Sequence, residues 1–171
     1  GKTDEYFQKF NNNNNCFSYE KKIKNSLTKY QINYSLFFYG TLRSLEVRKA
    51  VIGESSDNHN ISIGYLLKHK VFRVKNANYP LIKYTNNQVD VVKGLLINNI
   101  TFEELKKLDR FEGKNYFRQF VKVNVDQIHH DAQIYMPNKN MISEEPWDYE
   151  KWYKNDMKNF FIHEFDLNGV K

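Results

Sequence analysis

Residues 101–113 read TFEELKKLDRFEG, and this stretch predicts the best-defined helix of the chain. Thr101 can cap its first turn, and Glu104, three residues later, completes a capping box. Gly113 stands where a helix commonly ends in a residue of left-handed conformation. Every third position from residue 102 is apolar, which gives the helix one buried face formed by Phe102, Leu105, Leu108 and Phe111.

Glu112 is out of place on this helix. It follows Leu105 by seven residues and Leu108 by four, so all three side chains project from the core-facing side. Burial and the partial negative charge of the helix end both disfavour a carboxylate and raise its pKa, which suits a general base. A second interpretation stays open, in which the helix frays and Glu112 reaches water or pairs with Arg118. Asp109 has no such anomaly and is interpreted as a surface charge.

A second candidate site follows the apolar run YSLFFY at residues 34–39. This run predicts a strand buried on both faces, and Gly40 and Thr41 end it abruptly. Successive backbone amides in such a turn can bind an anion or a polarised carbonyl oxygen, and glycine lets a ligand approach closely. For these residues taken alone, a plain turn is the simpler interpretation, because Gly-Thr after a strand is common. The further glycines and the lysine of a phosphate-binding loop are missing, which argues against a nucleotide site.

The remaining patterns predict more strands than helices. A short helix is expected at 45–51, ended by Gly53, and a last helix opens at residues 146–147 and runs to about residue 165. Gly94 marks a bulge or a close backbone approach. Because the strands are not regularly interleaved with helices, the order favours an α+β fold, a small barrel or curled sheet with helices outside. These strands are expected at 61–74 (as a pair), 79–82, 89–97, 117–125 and 131–136.

Composition indicates one ordinary domain preceded by an appendage. The Asn run at 11–15 is of low complexity, so residues 1–33 are predicted to stand apart from a domain at 34–165, with a tail at 166–171. The 26 basic and 20 acidic residues are dispersed, which argues against nucleic acid as a partner. The single cysteine, Cys16, excludes an internal disulfide. No apolar run approaches the roughly 20 residues that cross a bilayer, so we expect no membrane partner and a cytoplasmic location.

Several ordered segments together resemble the gamma-glutamylcyclotransferase-like superfamily, in particular its small bacterial and plant branch, which includes gamma-glutamylamine cyclotransferases. The resemblance covers about residues 34–165 and leaves 1–33 unmatched. The helix that carries Trp147 and Trp152 is also similar to that branch. The segments are LFFYGTLR (36–43), YP (79–80), VKGLL (92–96), LDRFEGKNYFR (108–118) and AQIY (132–135).

This resemblance implies a small mixed β-barrel flanked by helices and an enzyme that needs no cofactor. Glu112 matches the family's acid/base, which takes a proton from the α-amino group of the substrate as that amine attacks its own γ-carbonyl carbon. The products implied are 5-oxoproline and a free amine or amino acid. The turn after the first strand matches the substrate-binding loop, and two tyrosines match positions near the pocket. The implied substrate-binding residues are Tyr39, Gly40, Thr41, Leu42, Tyr116 and Tyr135.

Alternatives stay open for several of these residues and for the function. The hydroxyls of Tyr116 and Tyr135 either donate to a substrate or are satisfied within the core. Arg118 either pairs with a substrate carboxylate or is a strand residue with no role in binding. No metal is expected, since the implied reaction needs none and the five histidines lack metal-ligand spacing. The expected partner is a small γ-glutamyl substrate, and the alternative function is a non-catalytic binding module that keeps the same pocket.

Overall fold

Two sheets and four α-helices build the part of the chain that the computed structural model describes, residues 33–138, 141 and 143–171. The predicted appendage up to residue 32, with Cys16, lies outside the described residues. No helix in the described ranges is long and apolar enough to cross a membrane. The strands are β1 (Tyr34–Phe38), β2 (Ile61–Leu67), β3 (His69–Val74), β4 (Pro80–Tyr84), β5 (Val91–Ile100), β6 (Tyr116–Val125), β7 (Ile128–Pro137) and β8 (Ser143–Pro146). The helices are α1 (Leu45–Ile52), α2 (Phe102–Glu112), α3 (Tyr149–Asn155) and α4 (Met157–His163).

Five of the strands close a barrel in the order β1-β5-β2-β6-β7. The ring is sealed where β1 runs parallel to β7, and its other strand pairs are antiparallel. A separate antiparallel sheet has the order β4-β3-β8. The predicted α+β class and the small mixed barrel flanked by helices are therefore confirmed.

The structure differs from the predicted elements at two places. Lys68, with a φ of 62°, turns the chain between β2 and β3, so the strand pair predicted at 61–74 is divided between the two sheets. The predicted last helix is wrong at its start, because Pro146 ends β8 and α3 begins after Asp148, whose side chain caps it. The helix is also interrupted at Asp156, which separates α3 from α4.

Two apolar clusters form the core, and β1 contributes to both. Phe37 belongs to the cluster that draws residues from all five barrel strands and from β4. Leu36 and Phe38 belong to the larger cluster, which includes residues of all four helices. Since successive side chains of a strand point to opposite faces, β1 is buried on both sides, as its sequence predicts.

The α2 helix forms as its sequence predicts. The Thr101 side chain accepts a hydrogen bond from the Glu104 N–H, and the Glu104 carboxylate accepts one from the Thr101 N–H. This capping box fixes the start of the helix, and Gly113 follows its end with a φ of 69°. The buried face of α2 holds Leu105, Leu108 and Phe111, whereas the predicted fourth member, Phe102, is only half-buried at the start of the helix.

Gly94 lies in β5 where the backbone of β1 passes very close. A Cβ atom at this position would lie 2.5 Å from the Phe38 carbonyl oxygen and 2.6 Å from a carbon of the Phe37 ring. Both atoms belong to the buried core, so neither can move away freely. The close backbone approach predicted for Gly94 is confirmed.

We expect Gly94→Ala to lower the free energy of unfolding by about 1–3 kcal/mol, because an added methyl group overpacks the barrel at this contact. Urea denaturation followed by tryptophan fluorescence measures the change. Lys93→Ala, at the exposed neighbouring position of β5, is the matched control and should stay within about 0.5 kcal/mol of the wild type. Equal unfolding midpoints for the two variants would contradict the packing described for Gly94.

Candidate active site

A cavity lies at the C-terminal end of α2, with an empty volume of about 400 Å³ that is partly open to solvent. Its walls come from the end of β1 and the turn after it, the start of β4, the end of α2, and strands β6 and β7. The structure brings all the residues that the sequence singled out together around this cavity, although their roles are still predictions. These residues are Glu112, Tyr39, Gly40, Thr41, Leu42, Tyr116 and Tyr135.

The Glu112 carboxyl group lines the cavity without a protein partner. Within the described residues it makes no hydrogen bond and no ion pair. Glu112 keeps part of its surface accessible, yet burial raises its pKa to about 8, and the negative charge of Asp109 adds to this effect. The alternative of a frayed helix is wrong, because α2 stays helical through Glu112. Pairing with Arg118 is also wrong, because Arg118 binds Asp109.

Asp109 takes part in a polar network beside Glu112, which corrects its interpretation as an ordinary surface charge. Its Oδ1 accepts hydrogen bonds from the Tyr135 hydroxyl at 2.7 Å and from Arg118 Nε at 2.9 Å. Arg118 also donates to Gln133 Oε1 at 2.7 Å. Arg118 and Tyr135 meet because they face each other in the register of β6 and β7. The network therefore ties a tyrosine of the cavity wall to the helix that carries Glu112.

The turn after β1 brings backbone amides to the cavity. Thr41–Arg43 forms a 3-10 turn whose first hydrogen bond runs from the Arg43 N–H to the Gly40 carbonyl oxygen at 3.0 Å. The amides before this bond have no partner within the turn, as at any helix start. A Cβ atom at Gly40 would lie 2.8 Å from Cγ of Pro80, so glycine lets the turn pack against Pro80. Thr41 and Leu42, which carry these amides, line the cavity.

Three tyrosine hydroxyls of the cavity wall use their protons within the protein. Tyr39 donates to the Tyr135 carbonyl oxygen and Tyr116 to the Pro80 carbonyl oxygen, each at 2.7 Å. The Tyr135 hydroxyl donates to Asp109, and burial raises the pKa of all three tyrosines. For Tyr116 and Tyr135 the sequence left two alternatives open, and in the structure both hydroxyls are satisfied within the protein. Each still has lone pairs, so each oxygen can accept a hydrogen bond from a ligand.

Further residues of the cavity wall were not singled out as functional from the sequence. Most are apolar, and they reach the cavity because the two core clusters meet there. Among these wall residues, no sequence pattern points to Val170, which falls in the predicted tail. The described residues contain no group of three or more His, Cys, Asp or Glu side chains that could hold a metal ion. The additional wall residues are Phe37, Phe38, Tyr79, Pro80, Phe111 and Val170.

Comparison with known proteins identifies the family. A family model described as "Gamma-glutamyl cyclotransferase, AIG2-like" matches residues 36–154. The chain belongs to this family. AIG2-like protein C of Arabidopsis thaliana is 31% identical over 133 residues, which cover 74% of this chain and 73% of that protein. AIG2-like protein B of the same plant is 26% identical over 131 residues, with the same two coverages, 74% and 73%. The resemblance to the gamma-glutamylcyclotransferase-like superfamily is thus confirmed.

Solved structures share the fold of this AIG2-like chain. Two Arabidopsis thaliana proteins with solution structures give TM-scores of 0.55 and 0.58 at 24% and 20% identity. The alignments cover 75% and 76% of this chain and 86% and 78% of the plant proteins. YkqA from Bacillus subtilis gives a TM-score of 0.57 at 18% identity, over 74% of this chain and 48% of YkqA. At these identities the similarity concerns the fold alone.

Glu112→Gln should change how stability depends on pH. The folded carboxyl group has a pKa of about 8 in place of its ordinary value of 4.5. Between these values the folded protein holds a proton that the unfolded chain has lost, so this group makes wild-type stability fall as pH rises. Glutamine has no such proton. We therefore expect the variant to gain stability relative to the wild type from about pH 4.5 to about pH 8, with no further gain above.

Urea denaturation of both proteins across this pH range measures the difference. Glu103→Gln is the matched control, because Glu103 lies on the same helix with its side chain 62% exposed. The control should follow the wild type at every pH. A difference between Glu112→Gln and the wild type that does not vary between pH 5 and pH 8 would contradict the raised pKa of Glu112.

Proposed function

We propose that this protein is a γ-glutamyl cyclotransferase, which converts a small γ-glutamyl compound into 5-oxoproline and a free amine or amino acid. Membership of the family supports this class of reaction. The observation that carries the proposal is the unpartnered Glu112 carboxyl group, with its pKa of about 8, in a cavity walled by the turn after β1.

The basicity of Glu112 suits the proton transfer that the reaction requires. The α-ammonium group of a peptide N-terminus has a pKa of about 8, and the free carboxylate beside the ammonium group of a γ-glutamyl compound raises that value. With a pKa of about 8, Glu112 matches this ammonium group far better than an ordinary glutamate does, so the proton transfer costs less free energy. An ordinary glutamate, with a pKa of about 4, is too weak a base to deprotonate an ammonium group efficiently.

One carboxyl group is sufficient for every proton transfer. Ionised Glu112 takes a proton from the α-ammonium group, and the free amine attacks the γ-carbonyl carbon to close a five-membered ring. Glu112 gives this proton to the leaving nitrogen as the original C–N bond breaks, and takes the second proton of the ring nitrogen. That proton then passes to the departing amine. The nucleophile already belongs to the substrate, so holding a folded conformer is worth several kcal/mol, and neither cofactor nor metal is needed.

The fixed dipoles of the cavity suit the charges of this substrate. The amides of Thr41 and Leu42, which have no partner within the turn, are available to the negative oxygen that develops on the attacked carbonyl group. The lone pairs of the tyrosine oxygens are available to the α-ammonium group. The apolar wall keeps bulk water from competing with the amine. The proposed partner is thus a small γ-glutamyl molecule, with neither nucleic acid nor membrane involved.

Glu112→Gln should abolish turnover while preserving binding. Wild-type protein is incubated with γ-glutamyl-lysine, γ-glutamyl dipeptides and glutathione, and 5-oxoproline is quantified. We expect the variant to lose turnover by about a hundredfold or more, because glutamine cannot transfer the proton, and to keep ligand affinity within a few-fold. Glu103→Gln, on the exposed side of α2, should turn over like the wild type.

Two outcomes would overturn parts of this proposal. Wild-type turnover in Glu112→Gln would remove Glu112 from the mechanism. Absence of 5-oxoproline from every substrate, together with measurable binding of one of them, would favour the non-catalytic binding module instead.

A further inference from the structure

The last residues of the chain reach the Glu112 cavity from outside the segment that defines the family. The family model matches residues 36–154, whereas Val170 lines the cavity. Val170 is only 9% exposed and belongs to the larger core cluster. Part of the cavity wall is therefore supplied by residues 168–171, which we term the C-terminal segment.

Backbone hydrogen bonds fix the C-terminal segment to the helix end that carries Glu112. The Val170 N–H donates to the Phe111 carbonyl oxygen at 2.8 Å. Phe111 lies in the last turn of α2, where carbonyl groups have no partner within the helix. The Lys171 N–H donates to the Glu164 carbonyl oxygen at 2.9 Å. The main chain is thus held at Val170 and immediately after it.

Two glycines permit this close approach of the main chain. Gly113 follows α2 with a φ of 69°, and Gly169 precedes Val170 with a φ of 133°. A Cβ atom on Gly113 would lie 3.0 Å from the Cα atom of Gly169. The two backbones therefore pass in direct contact, which brings the next residue, Val170, to the cavity wall.

Few charged groups act on the Glu112 carboxyl group, so its pKa depends mainly on burial by the wall of the cavity. Within the described residues, Asp109 is the charged group that bears on the Glu112 carboxyl, and burial is the larger cause of its raised pKa. Within and next to the C-terminal segment, Asp166 and Lys171 lie 4.0 Å from each other, and the buried Glu164 carboxylate accepts two hydrogen bonds from Asn78. The other titratable groups around Glu112 are tyrosines with raised pKa values, neutral near pH 7, namely Tyr39, Tyr79, Tyr116 and Tyr135.

We propose that Val170 is a positioning residue of the active site, whose side chain and surrounding backbone keep water away from the Glu112 carboxyl group. Val170 touches neither reacting bond and acts through Glu112. The inference rests on the proposed role of Glu112 in catalysis. It extends the site beyond the family segment, because the chain after residue 154 then sets the strength of the base.

Substitutions that keep or remove the apolar surface of Val170 test this role. Val170→Thr keeps the shape of the side chain and replaces one methyl group with a polar hydroxyl. Val170→Ala removes part of the apolar wall of the cavity, and Val170→Ile keeps that wall apolar. Leu167→Ala is the matched control, because Leu167 is 48% exposed and lies outside the C-terminal segment. Two quantities are measured: the titration of the Glu112 carboxyl carbon by ¹³C NMR, with its signal assigned by loss in Glu112→Gln, and the pH dependence of 5-oxoproline formation.

We expect Val170→Thr and Val170→Ala to lower the titration midpoint of Glu112 by about one pH unit or more, because water then solvates the carboxylate. The pH dependence of turnover should shift by the same amount. Val170→Ile should retain a midpoint near the wild-type value, and Leu167→Ala should match the wild type in both measurements. An unchanged midpoint in both Val170→Thr and Val170→Ala overturns the inference. If the wild type forms no product, the proposed function fails, while the titration still decides whether Val170 excludes water.

Discussion

A largely buried carboxyl group at the carbonyl end of α2 determines the chemistry of the site. Glu112 lies on the face of the helix that also buries Leu105 and Leu108. The capping box fixes the start of α2, and the hydrogen bond from Val170 to Phe111 holds its end. Burial then raises the pKa of Glu112 to about 8, and no partner in the described residues offsets that effect.

The fold places this carboxyl group where the two core clusters meet. Phe37 and Tyr39 belong to the cluster that draws on all five barrel strands, and Phe38 and Phe111 belong to the larger cluster that includes all four helices. All four residues line the cavity. Because β1 is buried on both faces, the turn that follows it opens into the same cavity with its amide groups. In the reaction that we propose, the turn after β1 supplies donors for the developing negative charge, and α2 supplies the base. Neither element alone forms a site.

Local patterns were sufficient to predict α2, most of the strands and the core-facing position of Glu112, whereas β8, the break at Asp156 and contacts between distant segments were not predictable. The cap, the apolar face and Gly113 together identify α2, and the position of Glu112 follows from helical geometry. The bonds from Arg118 and Tyr135 to Asp109 depend on the register of β6 and β7, which no local pattern of this chain fixes. Val170 lies in a tail without periodicity, so only the folded chain brings it to Glu112.

Infrared difference spectroscopy between the wild type and Glu112→Gln observes the proton on this one side chain. We expect the carbonyl stretch of a protonated carboxylic acid in the wild type at pH 6 to 7. That band should disappear with a midpoint near pH 8, the pKa of Glu112, as the carboxylate bands grow. Complete conversion to carboxylate near the ordinary value of 4.5, with no acid band at pH 6, would contradict this expectation.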